Sequence, residues 1–135
     1  MSVYVDTSAL YAVLDADDNN HTAARENWIK LLERGEQLVC SNYVLVECFA
    51  LVQHRLGLAA VQALQEDVVP VLSVAWVDES LHTAGISALL TARRERLSLV
   101  DCTSFELMRR LGLRAAFTFD RHFDEQGFAC LPEPQ

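Results

Sequence analysis

Residues 2–15 read SVYVDTSALYAVLD, and their order sets the architecture. The first four residues are β-rich and stop at Asp6. From Ser8 the pattern SALYAVLD is that of a short helix, so a strand hands over to a helix through one aspartate. The same succession returns further along. QLVCS (37–41) is a strand, Ser41 or Asn42 caps a helix running to about Leu56, and Gly57 ends it. VVPVLSVAWV (68–77) is a strand region in which Pro70 confines pairing at the start. AAFTF (115–119) is a strand ending at Asp120, and FACLP (128–132) is a last short strand. Between the strands lie helical patterns: HTAARENWIKLLERG (21–35), with Ala24, Trp28, Leu31 and Leu32 on one face; LAAVQALQED (58–67); DESLHTAGISALLTARRER (78–96); and LSLVDCTSFELMRRLG (97–112), closed by Gly112. Strands separated by helices of this length predict an α/β chain with a parallel sheet covered on both faces.

The chain has 135 residues, a length that suits one compact domain over 1–135, and 51% of them are hydrophobic. No apolar run approaches the roughly 18–20 residues of a membrane span. The start MSVYVDTSAL lacks a basic segment and an apolar signal core, so the expected location is cytoplasmic, with no membrane partner. Cys40, Cys48, Cys102 and Cys130 form no Cys-x-x-Cys pair, which leaves them as buried free thiols. The formal net charge of −8 argues against a purely electrostatic nucleic-acid binder. The charge is uneven, however. Residues 93–121 carry seven of the eleven basic side chains (Arg93, Arg94, Arg96, Arg109, Arg110, Arg114, Arg121) against four acids. Such a strip either solvates helix faces or holds a phosphate backbone beside a metal that offsets the acids.

The acids form a second pattern. Asp6 and Asp120 each follow an apolar strand, and Asp101 begins a helix near the same edge. In open α/β sheets ligands sit beyond the carboxyl ends of the strands. Glu47 is the one charge among the ten residues from Tyr43 to Val52. Capping explains Asp6 and Asp101, and a turn explains Asp120, but neither explains a carboxylate in the middle of an apolar helix. Two readings of Glu47 compete: a pairing with a buried arginine, or a place in a cluster with the three aspartates. Four carboxylates held close need protons or cations, and Mg²⁺ or Mn²⁺ suits oxygen ligands.

VDTSAL at the start, VLVECFAL around Glu47, LSLVDCTSFELMRRLG around Asp101 and TFDRHFDEQGF around Asp120 together resemble a PIN domain. The resemblance is to the VapC-like toxins of bacterial toxin–antitoxin pairs. It implies a three-layer sandwich with a central, mostly parallel five-stranded sheet, and a ribonuclease whose acidic pocket binds Mg²⁺ or Mn²⁺. It places the catalytic acids on Asp6, Glu47, Asp101 and Asp120, with Asp6 and Asp101 as the main metal ligands. A supporting hydroxyl falls on Ser8 or on Thr118. Arg93, Arg94, Arg96 and Arg121 are the candidates for holding substrate phosphates. The resemblance further implies an RNA substrate, a small antitoxin protein and a homodimer. The helix over 21–35 is expected either to expose part of its Trp28–Leu31 face or to pair it with a second copy.

Other readings carry less of the sequence. Asp15, Asp17, Asn19 and Glu26 have calcium-loop spacing, but Asn20 stands where the sharp turn wants glycine. His122 beside Asp120 suggests histidine-based nuclease chemistry, yet no other histidine has a partner motif, and an exposed residue or an RNA contact is the plainer expectation. A phospho-accepting signalling module would want adjacent acids after the first strand and a lysine near the last, and VDTS and TFDRHF offer neither. A catalytically inactive PIN-like binding module is the remaining alternative, against which the intact acidic quartet argues.

Overall fold

A computed structural model describes residues 1–133. The strands are β1 (Ser2–Val5), β2 (Gln37–Ser41), β3 (Leu72–Ala75), β4 (Ala115–Phe117) and β5 (Ala129–Leu131). The helices are α1 (Thr7–Leu14), α2 (His21–Glu33), α3 (Asn42–Leu56), α4 (Leu58–Ala63), α5 (Glu79–Ala92), α6 (Leu99–Leu111) and the single-turn α7 (His122–Glu125). The strands form one sheet in the order β3-β2-β1-β4-β5, and every neighbouring pair is parallel.

This order places the chain's reversal at the centre. From β1 the chain steps outward through β2 to β3, then crosses back to set β4 against the other side of β1. The crevice between the carboxyl ends of β1 and β4 is thus the topological switch point, where open α/β sheets bind ligands. Val3, Tyr4 and Val5 are fully buried in succession, and successive strand residues point to opposite faces, so both faces are covered. Aromatic packing fills one end of the core: Phe105 meets Phe123 edge-on at 4.9 Å between ring centroids and stacks on Phe128 at 6.1 Å. Where α5 and α6 cross they nearly touch. A methyl group on Gly85 would stand 2.4 Å from the Thr103 hydroxyl oxygen, so only glycine fits that crossing.

Several sequence expectations shift. Leu32 is exposed, while Ala24, Trp28 and Leu31 are buried; Trp28 stacks on Phe117 of β4 at 6.4 Å. The Trp28–Leu31 face is therefore internal and is not the surface expected to meet a second copy. The strand around Pro70 is only Leu72–Ala75, because α4 runs on as a π turn (Leu64–Val68) and a 3₁₀ turn (Val69–Val71) that contains the proline. Helix α5 stops at Ala92 with Arg93 in a left-handed conformation, so Arg93, Arg94 and Arg96 lie on an exposed loop and not on a helix. The acidic loop is held by its own turns: Asp15 accepts from the Tyr11 hydroxyl and the Asp17 amide, and Asp18 accepts from the Asn20 amide. Cys40, Cys48 and Cys102 are buried free thiols as expected, and Cys130 is half-buried. No described helix is long and apolar enough to cross a membrane.

Candidate active site

Each acid is delivered by a local device. Asp6 follows β1 in an extended conformation and caps α1. One of its oxygens, Oδ2, accepts from the Ser8 hydroxyl (2.7 Å) and from the Thr118 hydroxyl (3.0 Å). Both hydroxyls proposed from sequence therefore serve the same carboxylate. They also stitch β1 to β4, since Ser8 Oγ accepts from the Phe119 amide and Thr118 Oγ1 from the Asp120 amide, both at 2.9 Å. β4 ends at Phe117, so Asp120 does not follow the strand directly but stands beyond a two-residue turn made by these hydroxyls.

Asp101 is the third residue of α6. Ser98 Oγ accepts from the Asp101 amide and Asp101 Oδ2 accepts from the Ser98 amide, both at 3.0 Å, which is a complete capping box. The helix cap therefore belongs to Ser98, and Asp101 keeps its other oxygen free. Glu47 lies half-buried on α3. No arginine forms an ion pair with it among the described residues, so the structural pairing weighed from sequence is not what holds it. The Thr7 hydroxyl is its polar neighbour, and that oxygen is buried without a partner in good hydrogen-bond geometry.

Electrostatics identify these acids as one group. Burial raises Asp6 to about 6, against the pull of its Ser8 and Thr118 hydrogen bonds, and the charges of Asp101 and Asp120 add to the rise. Burial raises Asp101 as well, with Asp120 adding to it and the Ser98 hydrogen bonds opposing it. Glu47 is raised by burial first and then by Asp101 and Asp120. Asp6 and Glu47 are thus each in range of the charges of Asp101 and Asp120, in a poorly solvated crevice. The donor set is chiefly hard oxygen, and the repulsion is of the kind a divalent cation relieves, so these residues fit Mg²⁺ or Mn²⁺.

His122 was misjudged from sequence. It is largely buried, with a side chain 16% exposed, and its Nδ1 lies 2.9 Å from Asp120 Oδ1. Ligand atoms of Asp101, Asp120 and His122 all lie within 4.8 Å of one another. The spacing Asp-x-His in TFDRHF was the available signal. Of the arginines, Arg93 and Arg96 are exposed and Arg94 is tied to Glu125 of α7 at 2.8 Å. Arg121 lines a groove of about 1150 Å³ that reaches the site at Thr118 and Asp120. Asn27 and Lys30 of α2 and Arg34 just after it also line it, a contribution the sequence did not suggest.

Known proteins resemble this chain in sequence and fold. The PIN domain profile matches residues 3–129. The 23S rRNA-specific endonuclease VapC20 from two strains of Mycobacterium tuberculosis is 33% identical over 127 residues, covering 93% of this chain and 95% of the relative. The crystal structure of M. tuberculosis VapC20, titled a sarcin–ricin loop cleaving toxin, superposes with a TM-score of 0.83 at 30% identity, over 95% of this chain and 97% of that one. DNA-bound VapBC from Salmonella typhimurium (TM-score 0.68, 16% identity, 96% of each chain) shares the fold. So does FitAcB from Neisseria gonorrhoeae (TM-score 0.67, 17% identity, 95% of each chain). With four acids gathered at the sheet's switch point and the profile matched along nearly its whole length, the chain belongs to the PIN-domain family.

Proposed function

We propose that this protein is a metal-dependent endoribonuclease, the toxin of a toxin–antitoxin pair, and that Asp6, Glu47, Asp101 and Asp120 carry its catalysis. The observation behind this reading is the convergence of four carboxylates, three with raised proton affinity, between β1 and β4. Asp6 and Asp101 would be the main ligands of a Mg²⁺ or Mn²⁺ ion, because backbone and hydroxyl hydrogen bonds fix their orientation, and Asp120 would share the ion from beside Asp101. A bound divalent ion lowers the pKa of a coordinated water and offsets charge on a scissile phosphate. Among the described residues Glu47 has no hydrogen bond that fixes it to the backbone, so it would be free to accept the proton of an attacking water. Asp120 completes the acidic wall. Ser8 and Thr118 hold Asp6 in place across the β1–β4 seam.

RNA enters along the groove beside α2, where Lys30, Arg34 and Arg121 meet phosphates among the groove's own acids Glu26, Asp120, Asp124 and Glu133. Arg93 and Arg96 stand free to contact more distant phosphates, and Arg94 does so only after leaving Glu125. Kinship with VapC20 suggests a structured ribosomal RNA loop as substrate. A homodimer and a small antitoxin belong to the same reading. Trp76 and Val46 are 75% and 69% exposed, apolar surface of the kind that protein partners cover. Incubation with 23S rRNA, with Mg²⁺ or Mn²⁺ and then with EDTA, tests the nuclease. Cleavage that survives EDTA refutes the metal mechanism, and no cleavage with either ion makes the chain a binding module.

A further inference from the structure

The family resemblance implies a metal site of carboxylates alone, but this crevice contains a nitrogen. His122 is the first residue of α7, and its backbone amide donates to Asp120 Oδ1 at 2.9 Å. That turn folds the ring back over the same carboxylate, leaving Nδ1 2.9 Å from Oδ1. The contact is close but misaligned: Nδ1 is buried and has no hydrogen-bond partner. If Nδ1 carries a proton, its charge pairs with Asp120 but the misaligned donor makes no hydrogen bond. If it does not, two lone-pair atoms face each other at contact distance. In neither state is Nδ1 satisfied by a hydrogen bond, and a cation shared by both atoms would use both lone pairs.

The spacing agrees with that resolution. Two ligand atoms each about 2.1 Å from a small divalent ion and at right angles around it lie about 3 Å apart. An oxygen of Asp101 supplies a third donor, since Asp101, Asp120 and His122 each offer one ligand atom within 4.8 Å of the others. We propose that His122, through Nδ1, is a nitrogen ligand of the ion held with Asp101 and Asp120, and that it biases the site toward Mn²⁺ and Co²⁺ over Mg²⁺. Imidazole binds the later first-row metals in preference to Mg²⁺, which favours oxygen and keeps its waters. The inference rests on the metal-nuclease reading for the presence of an ion but not for any cleavage of RNA.

Two measurements on the full chain decide it. Pulsed EPR of the Mn²⁺-loaded protein should show ¹⁴N modulation from one coordinated imidazole, and His122→Asn should abolish it. Calorimetric titration should show Co²⁺ affinity falling by about tenfold or more in His122→Asn, while Mg²⁺ affinity stays within about twofold. Matching thermal melts in EDTA establish that the variant is folded. If it does not fold, the wild-type Mn²⁺ spectrum decides without any substitution. Absence of ¹⁴N coupling in wild type, or an equal loss of Co²⁺ and Mg²⁺ affinity, overturns the proposal. RNA cleavage with Mg²⁺ but no nitrogen coupling refutes this inference and leaves the nuclease reading standing. Nitrogen coupling without RNA cleavage does the reverse, and failure to bind any divalent ion removes both.

Discussion

The carboxyl edge of the sheet has two halves built from the same local parts. On the β2–β3 flank, Ser41 caps α3 by accepting from the Val44 amide, and Asp78 caps α5 by accepting from the Leu81 amide. Asn42 accepts from the Val77 amide, and the Tyr43 hydroxyl meets His82 Nδ1. At the centre, Asp6 caps α1 and Ser98 caps α6 in a box with Asp101. Asp78 and Asp6 are both aspartates at helix N-caps, yet Asp78 is exposed while Asp6 is 4% exposed and in range of two other carboxylates. Capping chemistry alone therefore makes no active site. The strand order does, by bringing the ends of β1 and β4 together so that caps become neighbours.

The largest test of that contrast is catalytic. Asp101→Asn should lower RNA cleavage by on the order of 10²- to 10³-fold, whereas Asp78→Asn, an equivalent cap outside the cluster, should leave it unchanged. Equal activity of both variants would erase the distinction between the halves. The next test is pH. In metal-free protein the unfolded chain ionises Asp6 near 3.8 and the folded chain near 6, so the folded state holds that proton more tightly. Stability should fall as pH rises from about 4 through about 6, then level off. Asp6→Asn should lessen this dependence, which Asp101 and Glu47 share, and, in EDTA at pH 8, melt higher than wild type by the equivalent of about 2 kcal/mol. Asp78→Asn should not raise the melt at all.

The two halves join where α5, capped by Asp78, crosses α6, which carries Asp101. Gly85→Ala wedges that seam against Thr103, and denaturant unfolding should show a loss of about 1–3 kcal/mol. A neutral result would mean that α5 and α6 slide freely. The smallest expected effect is at Glu47. Glu47→Gln keeps the shape and removes one repelling charge. It should stabilise the metal-free protein at pH 8 by roughly 1 kcal/mol, less toward pH 5, while Mg²⁺ or Mn²⁺ stabilises the wild type more than the variant. A lower melt for Glu47→Gln at every pH would make Glu47 structural.

The order of strands and helices was legible because Pro, Gly and capping residues punctuate the chain, and Gly57 and Gly112 close their helices where expected. The four acids were legible because Glu47 breaks an apolar run and the other three sit at element boundaries. What escaped was tertiary. Trp28 was read correctly as apolar but assigned to a partner surface, since periodicity does not say which neighbour covers a face. His122 was seen beside Asp120 but read as exposed, because nothing in the sequence shows that α7 folds its ring into the crevice near Asp101, 21 positions away. Lys30 and Arg34 gave no signal, because α2 meets the β4–α7 turn only in three dimensions. The ends of β3 and β4 fell short of their apolar runs because turn hydrogen bonds displaced sheet pairing there.

Asp101 holds its helix together with one oxygen and faces the crevice with the other. A descendant that lost its nuclease would still weaken α6 by discarding that aspartate, so drift after loss of activity should spare it. Glu47 has no such second duty, and while ionised in the empty crevice it destabilises the fold. Relaxed selection should therefore erase Glu47 first. Among related chains, an aspartate at the third position of this helix would report an intact fold, and, on the proposed reading, a glutamate at this place in α3 would report that the chemistry is still in use.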